Sequence, residues 1–204
     1  MDAQQMFLLD HARAHSRKVG RAEGGIWISD FTFRGLEDAQ MRFRPQEGLN
    51  SLAWLLWHMA RAEDMGVNLC VAERPQVLED DGWRERLNVA RHDMAAGMTD
   101  EEVGEFTDQV DIKALRDYRD TVGKRTREVV QAMSPEQFDE QIDAAKIEQA
   151  FADGTISEAA EWLRGFMNEK TKAFVLGHVG TGHNFMHLGE AWCLRSMAGL
   201  KLPV

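Results

Sequence analysis

The chain has 204 residues, 44% of them hydrophobic, and a formal net charge of −10. This length and apolar content fit one domain, spanning residues 1–204, with a sizeable core. The acidic balance and the lack of a basic stripe argue against a phosphate-backbone partner, so we expect no nucleic acid. No apolar run reaches the roughly 18 residues that span a bilayer, and no secretory hydrophobic region begins the chain, so we expect no membrane partner.

The two cysteines, Cys70 and Cys193, form no motif and fall inside predicted helices. We expect both to be buried free thiols of a protein in a reducing compartment. The expected location is therefore cytoplasmic.

The first predicted element is a long helix from about Asp2 to the mid-thirties. The chain has only four prolines and few alternating β-branched runs, so the protein is expected to be mainly helical. His11 and His15 are expected on a partly solvated face of this helix. Glycines 20, 24 and 25 are points where it could kink. Its predicted apolar seam consists of Leu8, Ala12, Val19, Ala22 and Ile26.

The second predicted helix has the clearest register in the chain. Asn50 or Ser51 can cap it, and it is expected to run to about Glu73. Its apolar stripe steps by three and four residues through Leu55, His58, Ala62, Met65 and Leu69. A histidine centred on such a stripe is costly to bury without a partner, which makes His58 a candidate functional residue. The tryptophans that could line a pocket above a metal at this position are Trp54, Trp57 and Trp83.

The next stretch, 74–110, loses helical periodicity and collects Gly and Asp. It is predicted to be a long irregular crossover with a short helix near 83–89, and a crossover of this length often covers a site. A third helix is predicted over 111–133, on the stripe Leu115, Tyr118, Val122, Thr126 and Val129. Ser134-Pro135 has the form of a new short helix. Segment 139–170 is predicted to be a polar, helical insertion before the last helix, which starts near Lys172 and ends at a C-cap near Gly199.

His183 and His187 lie four residues apart in this last helix, so both imidazoles can point at one metal ion. The sequence differs from the His-Glu-x-x-His pattern of zinc proteases, because Asn184 stands where the general-base Glu would be. Glu190 keeps to the same face. It could be a fourth ligand, but we favour a carboxylate that orients a ligand imidazole.

Together, His58, His183 and His187 are the candidate metal ligands. If their two helices pack side by side, three neutral imidazoles with open positions form the arrangement of a catalytic Zn²⁺ or Ni²⁺ site. The alternative is that each is a core imidazole bonded to a backbone carbonyl or a carboxylate. His178 lies about 140° from His183 on an α-helical wheel and is expected to be structural or to support a ligand. His92 is expected at the surface.

Several of these residues resemble a known family. Segment 49–64, Leu-Asn-Ser-Leu-Ala-Trp-Leu-Leu-Trp-His-Met-Ala-Arg-Ala-Glu-Asp, is similar to the second helix of the DinB/YfiT-like superfamily, with its Trp-x-x-x-His core and acidic pair. The signature His-x-x-x-His-x-Gly-Gln/Glu of that family's last helix matches 183–190, with Glu190 where Gln is common. Gly35-Leu36 and Arg44-Pro45 resemble the lead into helix two. Segments 74–110 and 139–170 are longer than in minimal members.

The resemblance implies an all-α four-helix bundle with a long crossover connection and extra short helices, a divalent metal on three histidines, and often a homodimer. Characterised relatives are thiol-dependent transferases or isomerases that use mycothiol, bacillithiol or glutathione. The leading expectation is thus a metal-dependent thiol S-transferase acting on a small-molecule electrophile, in which Glu190 or a carboxylate near Glu63-Asp64 orients a ligand imidazole. Three alternatives stay open: a metal-dependent hydrolase, a non-catalytic metal-binding bundle, and a helical interaction protein without metal.

Overall fold

The computed structural model describes residues 1–21, 23–80 and 82–201, without the side chain of Glu23, and these residues form helices and no β-strand. The all-α prediction is therefore confirmed. The α-helices are α1 (Ala3–Ala14), α2 (Ile28–Phe33), α3 (Asp38–Met41), α4 (Leu52–Asp64), α5 (Trp83–Leu87), α6 (Asp100–Gln109), α7 (Ile112–Ala132), α8 (Ala144–Ala152), α9 (Trp162–Met167), α10 (Lys172–Val175) and α11 (His183–Met197). Short 3₁₀-helices cover Glu23–Gly25, Val77–Glu79, Pro135–Phe138 and Glu158–Ala160.

Two π-helical segments extend the bundle helices. The segment π1 (Met65–Val71) continues α4, and π2 (Leu176–Gly182) joins α10 to α11 without a break. Backbone hydrogen bonds in a π-helix run from residue i to i+5, and such segments are often found at functional sites. The last helix is therefore continuous, as expected, but part of it has a wider winding than an α-helix.

Four of these helices form the bundle. Helix α4 packs on α7 and α11, and α1 closes the ring through contacts with α7, α11 and π2. The crossover 74–110 and the segment 139–170 lie outside this ring and supply α5, α6, α8 and α9. The prediction of a four-helix bundle with a long crossover is confirmed.

The prediction of one helix from Asp2 to the mid-thirties is wrong. Helix α1 begins at an Asp2 cap, whose carboxylate accepts from the Gln5 amide at 2.7 Å, and ends at Ala14. Gly24 and Gly25 then have φ of 75° and 69°, a left-handed conformation that no helix interior contains. Of the predicted seam, Ala12 and Val19 are buried, Leu8 is half-buried, Ile26 is exposed and Ala22 lies outside the described residues.

The second and third helices agree with their predicted registers. The Ser51 hydroxyl caps α4 by accepting from the Trp54 amide at 2.9 Å, and every residue of α4 is buried. Asp111 caps α7 in the same way, and the predicted α7 stripe is buried throughout. These two helices make the most extensive contact between elements of the described residues, and Trp57 packs against Tyr118 there.

Buried polar groups of α4 fasten the crossover to the bundle. Asp64 forms an ion pair with Arg61 at 3.0 Å and accepts from the amides of Val77 and Leu78. Arg61 and Trp57 donate to the carbonyls of His92 and Asp93. Segment 92–94 is thereby held alongside α4. These hydrogen bonds satisfy both partners of a buried ion pair, which would otherwise be costly.

The crossover is more ordered than predicted. A short helix does start at Trp83, but α6 was not foreseen, although Thr99 and Glu102 form the reciprocal capping box that the sequence Thr-Asp-Glu-Glu encodes. The segment 139–170 is helical as expected, with α8 and α9 separated by a turn. At the other end of the chain, Gly199 has φ of 71° and closes α11, which confirms the predicted C-cap. No helix of the described residues is long and apolar enough to cross a membrane.

Candidate metal centre

Helices α4 and α11 bring the three candidate histidines together. The Nε2 atoms of His58 and His183 are 3.1 Å apart, and the ring of His187 lies 4.8 Å from that of His58 and 4.5 Å from that of His183. One nitrogen from each of the three lies within 4.8 Å of the other two. The expectation that α4 and α11 place these side chains at one point is met, although 125 residues separate the first two.

In His58 and His187, a hydrogen bond at one ring nitrogen determines that the other nitrogen is free. The Nδ1 of His58 donates to the Met94 carbonyl at 2.5 Å, and the Nδ1 of His187 donates to the Glu190 carboxylate at 2.8 Å. The tautomers follow from these acceptors, because neither oxygen can donate. In the neutral form of both rings Nε2 therefore keeps its lone pair, the form in which imidazole binds a metal.

Burial keeps two of the three histidines, His58 and His183, neutral. Burial lowers the pKa of His58 to about 4, and burial together with the neighbouring His58 and His187 lowers that of His183 to about 2. For Glu190, burial alone would raise the pKa, but the hydrogen bonds from His187 and Asn50 lower it. At neutral pH the site thus presents the unprotonated imidazoles of His58 and His183 beside the Glu190 carboxylate, donors that suit a divalent cation.

The spacing of the nitrogens fits a metal ion. A tetrahedral ion with nitrogen ligands at about 2.0–2.1 Å separates them by about 3.3 Å, close to the distance between the Nε2 atoms of His58 and His183. Without an ion, the same distance is that of an N–H···N hydrogen bond from His183 to His58, and the buried Nδ1 of His183 has no partner among the described residues in either case. The residues present therefore fit the metal that the sequence predicts.

The three imidazoles form part of the wall of a cavity of about 530 Å³. The cavity lies between α4, α9, α11 and crossover residues 94–98, so the crossover covers the site as its length indicated. Its walls are mainly apolar, with Met65, Met94, Met98, Met167 and Met186 among them, and no Lys or Arg side chain of the described residues lines it. Trp54 stacks on His58 at 4.9 Å. The site thus opens into an apolar, uncharged space.

His178 also faces this cavity, which the α-helical wheel did not predict. It lies in π2, whose i→i+5 winding brings residues five apart closer to one face than an α-helix does, and its ring is 5.6 Å from that of His183. It packs between Phe166 and Phe174, and burial lowers its pKa. Its expected role as a structural or supporting residue, outside the ligand set, stays a prediction.

A family model of the DinB superfamily matches residues 29–191 of the chain. The chain belongs to the DinB superfamily. The fold of this DinB protein is also similar to the crystal structure of a conserved protein from Enterococcus faecalis, with a TM-score of 0.68, 19% sequence identity, and 97% of each chain covered. At that identity the likeness shows the fold alone. No curated protein matches the chain.

The DinB protein has a second polar cluster, which corrects the prediction for His11 and His15. Both histidines are fully buried, where a partly solvated face was expected, and their Nε2 atoms donate to Glu63 at 2.8 and 2.9 Å. Glu63 also accepts from Arg119, Thr126 and Asn184. No local sequence pattern indicated this cluster, since the five donors come from α1 and the residue after it, from α7 and from α11.

Charge in this second cluster is held by Glu63 and Arg119. Burial alone would raise the pKa of Glu63, but His15, Arg119 and His11 together lower it well below its usual range. Burial lowers the pKa of His11, and lowers that of His15 to about 3. Both histidines are therefore neutral hydrogen-bond donors. His11, His15 and Glu63 are close enough to hold an ion, but the Arg119 guanidinium 2.8 Å from Glu63 already occupies the place of a cation.

Other predicted site residues lie elsewhere. Neither Glu63 nor Asp64 contacts the three histidines, because Glu63 faces the second cluster and Asp64 the crossover. Trp54 lines the cavity, but Trp57 and Trp83 pack in the core beside Tyr118. The cavity's other tryptophan is Trp162 of α9, in the inserted segment.

The remaining sequence predictions concern the two cysteines and His92. Cys70 is buried, and burial raises the pKa of its thiol to about 12. Cys193 is exposed, which corrects the expectation of two buried thiols: it lies on the side of α11 that faces away from the bundle. His92 is partly exposed and its Nε2 lies 2.6 Å from the Asp153 carbonyl, outside the cavity.

Proposed function

We propose that this DinB protein holds a divalent transition metal, zinc or nickel, on His58, His183 and His187, and uses it to transfer a low-molecular-weight thiol to a small electrophile. The observation that carries the proposal is the convergence of three imidazoles on the wall of an apolar cavity of about 530 Å³. A purely structural site is closed by four protein ligands, whereas a catalytic site keeps a position open to the substrate. The cavity above the three histidines supports the second arrangement.

A bound divalent cation would favour the thiolate form of a thiol and so supply a nucleophile at neutral pH. The protein's own residues do the rest. The Met94 carbonyl and the Glu190 carboxylate hold Nδ1–H of His58 and His187, so that both rings present Nε2. Segment 94–98 and α9 supply apolar walls of the cavity.

The cavity walls support a class of acceptor substrate. They carry thioethers and aromatic rings, and among the described residues no cationic side chain lines them, so a neutral apolar electrophile is favoured over an anionic one. A halide, an epoxide or an enoyl compound fits this description. Transfer forms a carbon–sulfur bond. The thiol proton goes to solvent when a halide leaves, to the oxygen when an epoxide opens, and the α-carbon takes a proton when an enoyl compound adds the thiol.

The test is adduct formation by protein loaded with Zn²⁺ or Ni²⁺. A chlorinated aromatic, an epoxide and an enoyl compound are each incubated with glutathione, mycothiol or bacillithiol, and products are identified by mass spectrometry. We expect an adduct with at least one pair, lost on chelation and in His183→Ala but kept in His92→Gln. Absence of a metal-dependent adduct with every pair would overturn the proposal. Turnover of esters or amides without thiol would favour a hydrolase instead.

The family resemblance also carries the expectation of a homodimer, which we include in the proposal. Sedimentation of the purified protein tests it. A single species with the mass of one chain, 23.2 kDa, at all concentrations would remove this part and leave the site unaffected.

A further inference from the structure

One part of the cavity wall consists of aromatic side chains outside the proposed metal ligands. Trp162 and Phe166 of α9 and His178 of π2 all line the cavity. The ring of Phe166 lies 5.9 Å from that of Trp162 and 4.9 Å from that of His178. Phe174 stacks on His178 at 6.1 Å and supports it. Trp162, Phe166 and His178 therefore form one continuous surface, which we name the aromatic wall.

The aromatic wall leaves apolar surface uncovered. Trp162 is 62% exposed, and Met186, which also lines the cavity, is 61% exposed. Side chains that line a cavity and are this exposed lie at its mouth. Uncovered apolar surface at the mouth of a cavity of about 530 Å³ is typical of a site that binds an apolar small molecule.

The same wall carries a polar group that the protein itself does not use. The ring nitrogens of His178 have no hydrogen-bond partner among the described residues, and they are accessible, unlike the buried Nδ1 of His183. Of the other polar side chains that line the cavity, Asn50 donates to Glu190 and Trp54 to a methionine sulfur. A single free polar group in an otherwise apolar pocket fixes the orientation of a ligand.

An aromatic ligand fits this wall better than a saturated ligand of the same size. Aromatic rings in offset or edge-to-face contact gain more than the burial of their area alone supplies. Methionine sulfur also makes favourable contacts with aromatic rings, and five methionines line the cavity. A neutral imidazole carries one N–H, so His178 can donate to an oxygen on such a ligand.

We propose that the aromatic wall is the acceptor subsite of the proposed transferase, and that it selects a planar aromatic compound with a hydrogen-bond-accepting group, such as a carbonyl, bound by His178. The ring of His178 is 5.6 Å from that of His183, so one small molecule can contact both His178 and a thiol at the metal site. The inference rests on the proposed function for the reaction, but the binding that it predicts needs neither metal nor thiol. Failure of the transfer and failure of the subsite are therefore separate results.

The experiment is an NMR titration of chelator-treated protein with three probes of similar size: acetylnaphthalene, ethylnaphthalene and acetyldecalin. The first has an aromatic ring system and a carbonyl, the second lacks the carbonyl, and the third lacks the aromatic rings. We expect acetylnaphthalene to bind about tenfold more tightly than acetyldecalin. Equal or tighter binding of the saturated probe would overturn the proposal.

Variants assign this binding to the aromatic wall. Trp162→Leu should weaken both naphthalene probes by about tenfold. Trp192→Leu makes the same change at an exposed tryptophan outside the cavity and should leave both unchanged, with the folding of each variant checked by circular dichroism. His178→Phe should weaken acetylnaphthalene by about fivefold and leave ethylnaphthalene unchanged. Equal effects of His178→Phe on the two probes would contradict the hydrogen bond, because a packing role does not distinguish them.

Two further results would overturn the proposal. Loss of bound Zn²⁺ in His178→Phe would make His178 a fourth metal ligand, which is then not free to bind the acceptor. A change in the sedimentation of Trp162→Leu, absent in Trp192→Leu, would mean that a second copy of the chain covers this surface. We expect neither, so both variants should keep the metal content and the sedimentation of the wild type.

Discussion

Glu63 joins all four bundle helices, and replacing it with glutamine tests how the bundle is held. Glu63 on α4 accepts from His11 and Thr126 on one oxygen, and from His15, Arg119 and Asn184 on the other. The Glu63→Gln variant keeps the size of the side chain. It turns one acceptor oxygen into an NH₂ group that faces hydrogen-bond donors.

The cost follows from what the substitution leaves behind. Arg119, whose side chain is 4% exposed, loses its only charged partner in the cluster, and breaking a buried ion pair in this way costs about 3–5 kcal/mol. At least two hydrogen bonds to the oxygen that becomes NH₂ are lost as well, but their cost overlaps with that of the unpaired charge. A loss of about 3–5 kcal/mol is a large share of the 5–15 kcal/mol that a domain typically has.

Urea unfolding of metal-free protein at pH 7, followed by circular dichroism, measures this free energy. The control is Glu105→Gln, which makes the same chemical change at an exposed position of α6 and should alter stability by less than about 0.5 kcal/mol. We expect the midpoint of Glu63→Gln to fall with an unchanged slope. A loss below about 1 kcal/mol would refute the reasoning, because Arg119 would then not depend on Glu63.

Glu190→Ala removes the carboxylate that orients His187 and should weaken Zn²⁺ binding by about 10–100-fold, measured by competition with a chromophoric chelator, with Glu190→Gln intermediate; unchanged affinity would contradict the orienting role. Gly180→Ala and Gly177→Ala form a matched pair within π2. A Cβ at residue 180 would lie 2.8 Å from the Phe7 ring, so Gly180→Ala should lower the free energy of urea unfolding by about 1–3 kcal/mol. A Cβ at residue 177 meets nothing within 4 Å, so Gly177→Ala should be nearly neutral. Equal effects would contradict the packing. A further prediction concerns the dependence of stability on pH. Histidines buried as neutral groups have folded-state pKa values below the unfolded value of 6.5, so the unfolded state binds more protons below that pH. The stability of the metal-free protein should therefore fall from pH 6.5 towards pH 4, by up to about 1.4 kcal/mol per pH unit for each such histidine. A flat profile would contradict their burial.

The sequence predicted those features of the fold that depend on the periodic pattern of residues within a single helix. The α4 stripe around His58 and the α7 stripe have an uninterrupted helical period, and both helices form with that register. The histidines of α11 share a face for the same reason. Local spacing was sufficient to place the three candidate ligands on two helices, and the family pattern paired those helices. That they bind a metal stays a prediction.

The remaining features depend on contacts that a single segment does not contain. His11 and His15 look like a solvated face until α4 supplies Glu63. His15, in an extended conformation after the end of α1, reaches the carboxylate with its Nε2. His178 was placed by an α-helical wheel, but π2 changes the period. Such a π segment has no reliable sequence signal, since the same backbone N–H and C=O groups form its hydrogen bonds and are only paired one residue further along the chain.

The central claim is that the three histidines share one metal ion. It is tested most directly by elemental analysis of protein purified without an affinity tag and incubated with Zn²⁺ or Ni²⁺, beside His58→Ala, His183→Ala and, as a control outside the cavity, His92→Gln. We predict about one ion per chain in the wild type and in His92→Gln, and none in the other two variants. No bound metal in the wild type, or an ion retained in both alanine variants, would contradict the claim.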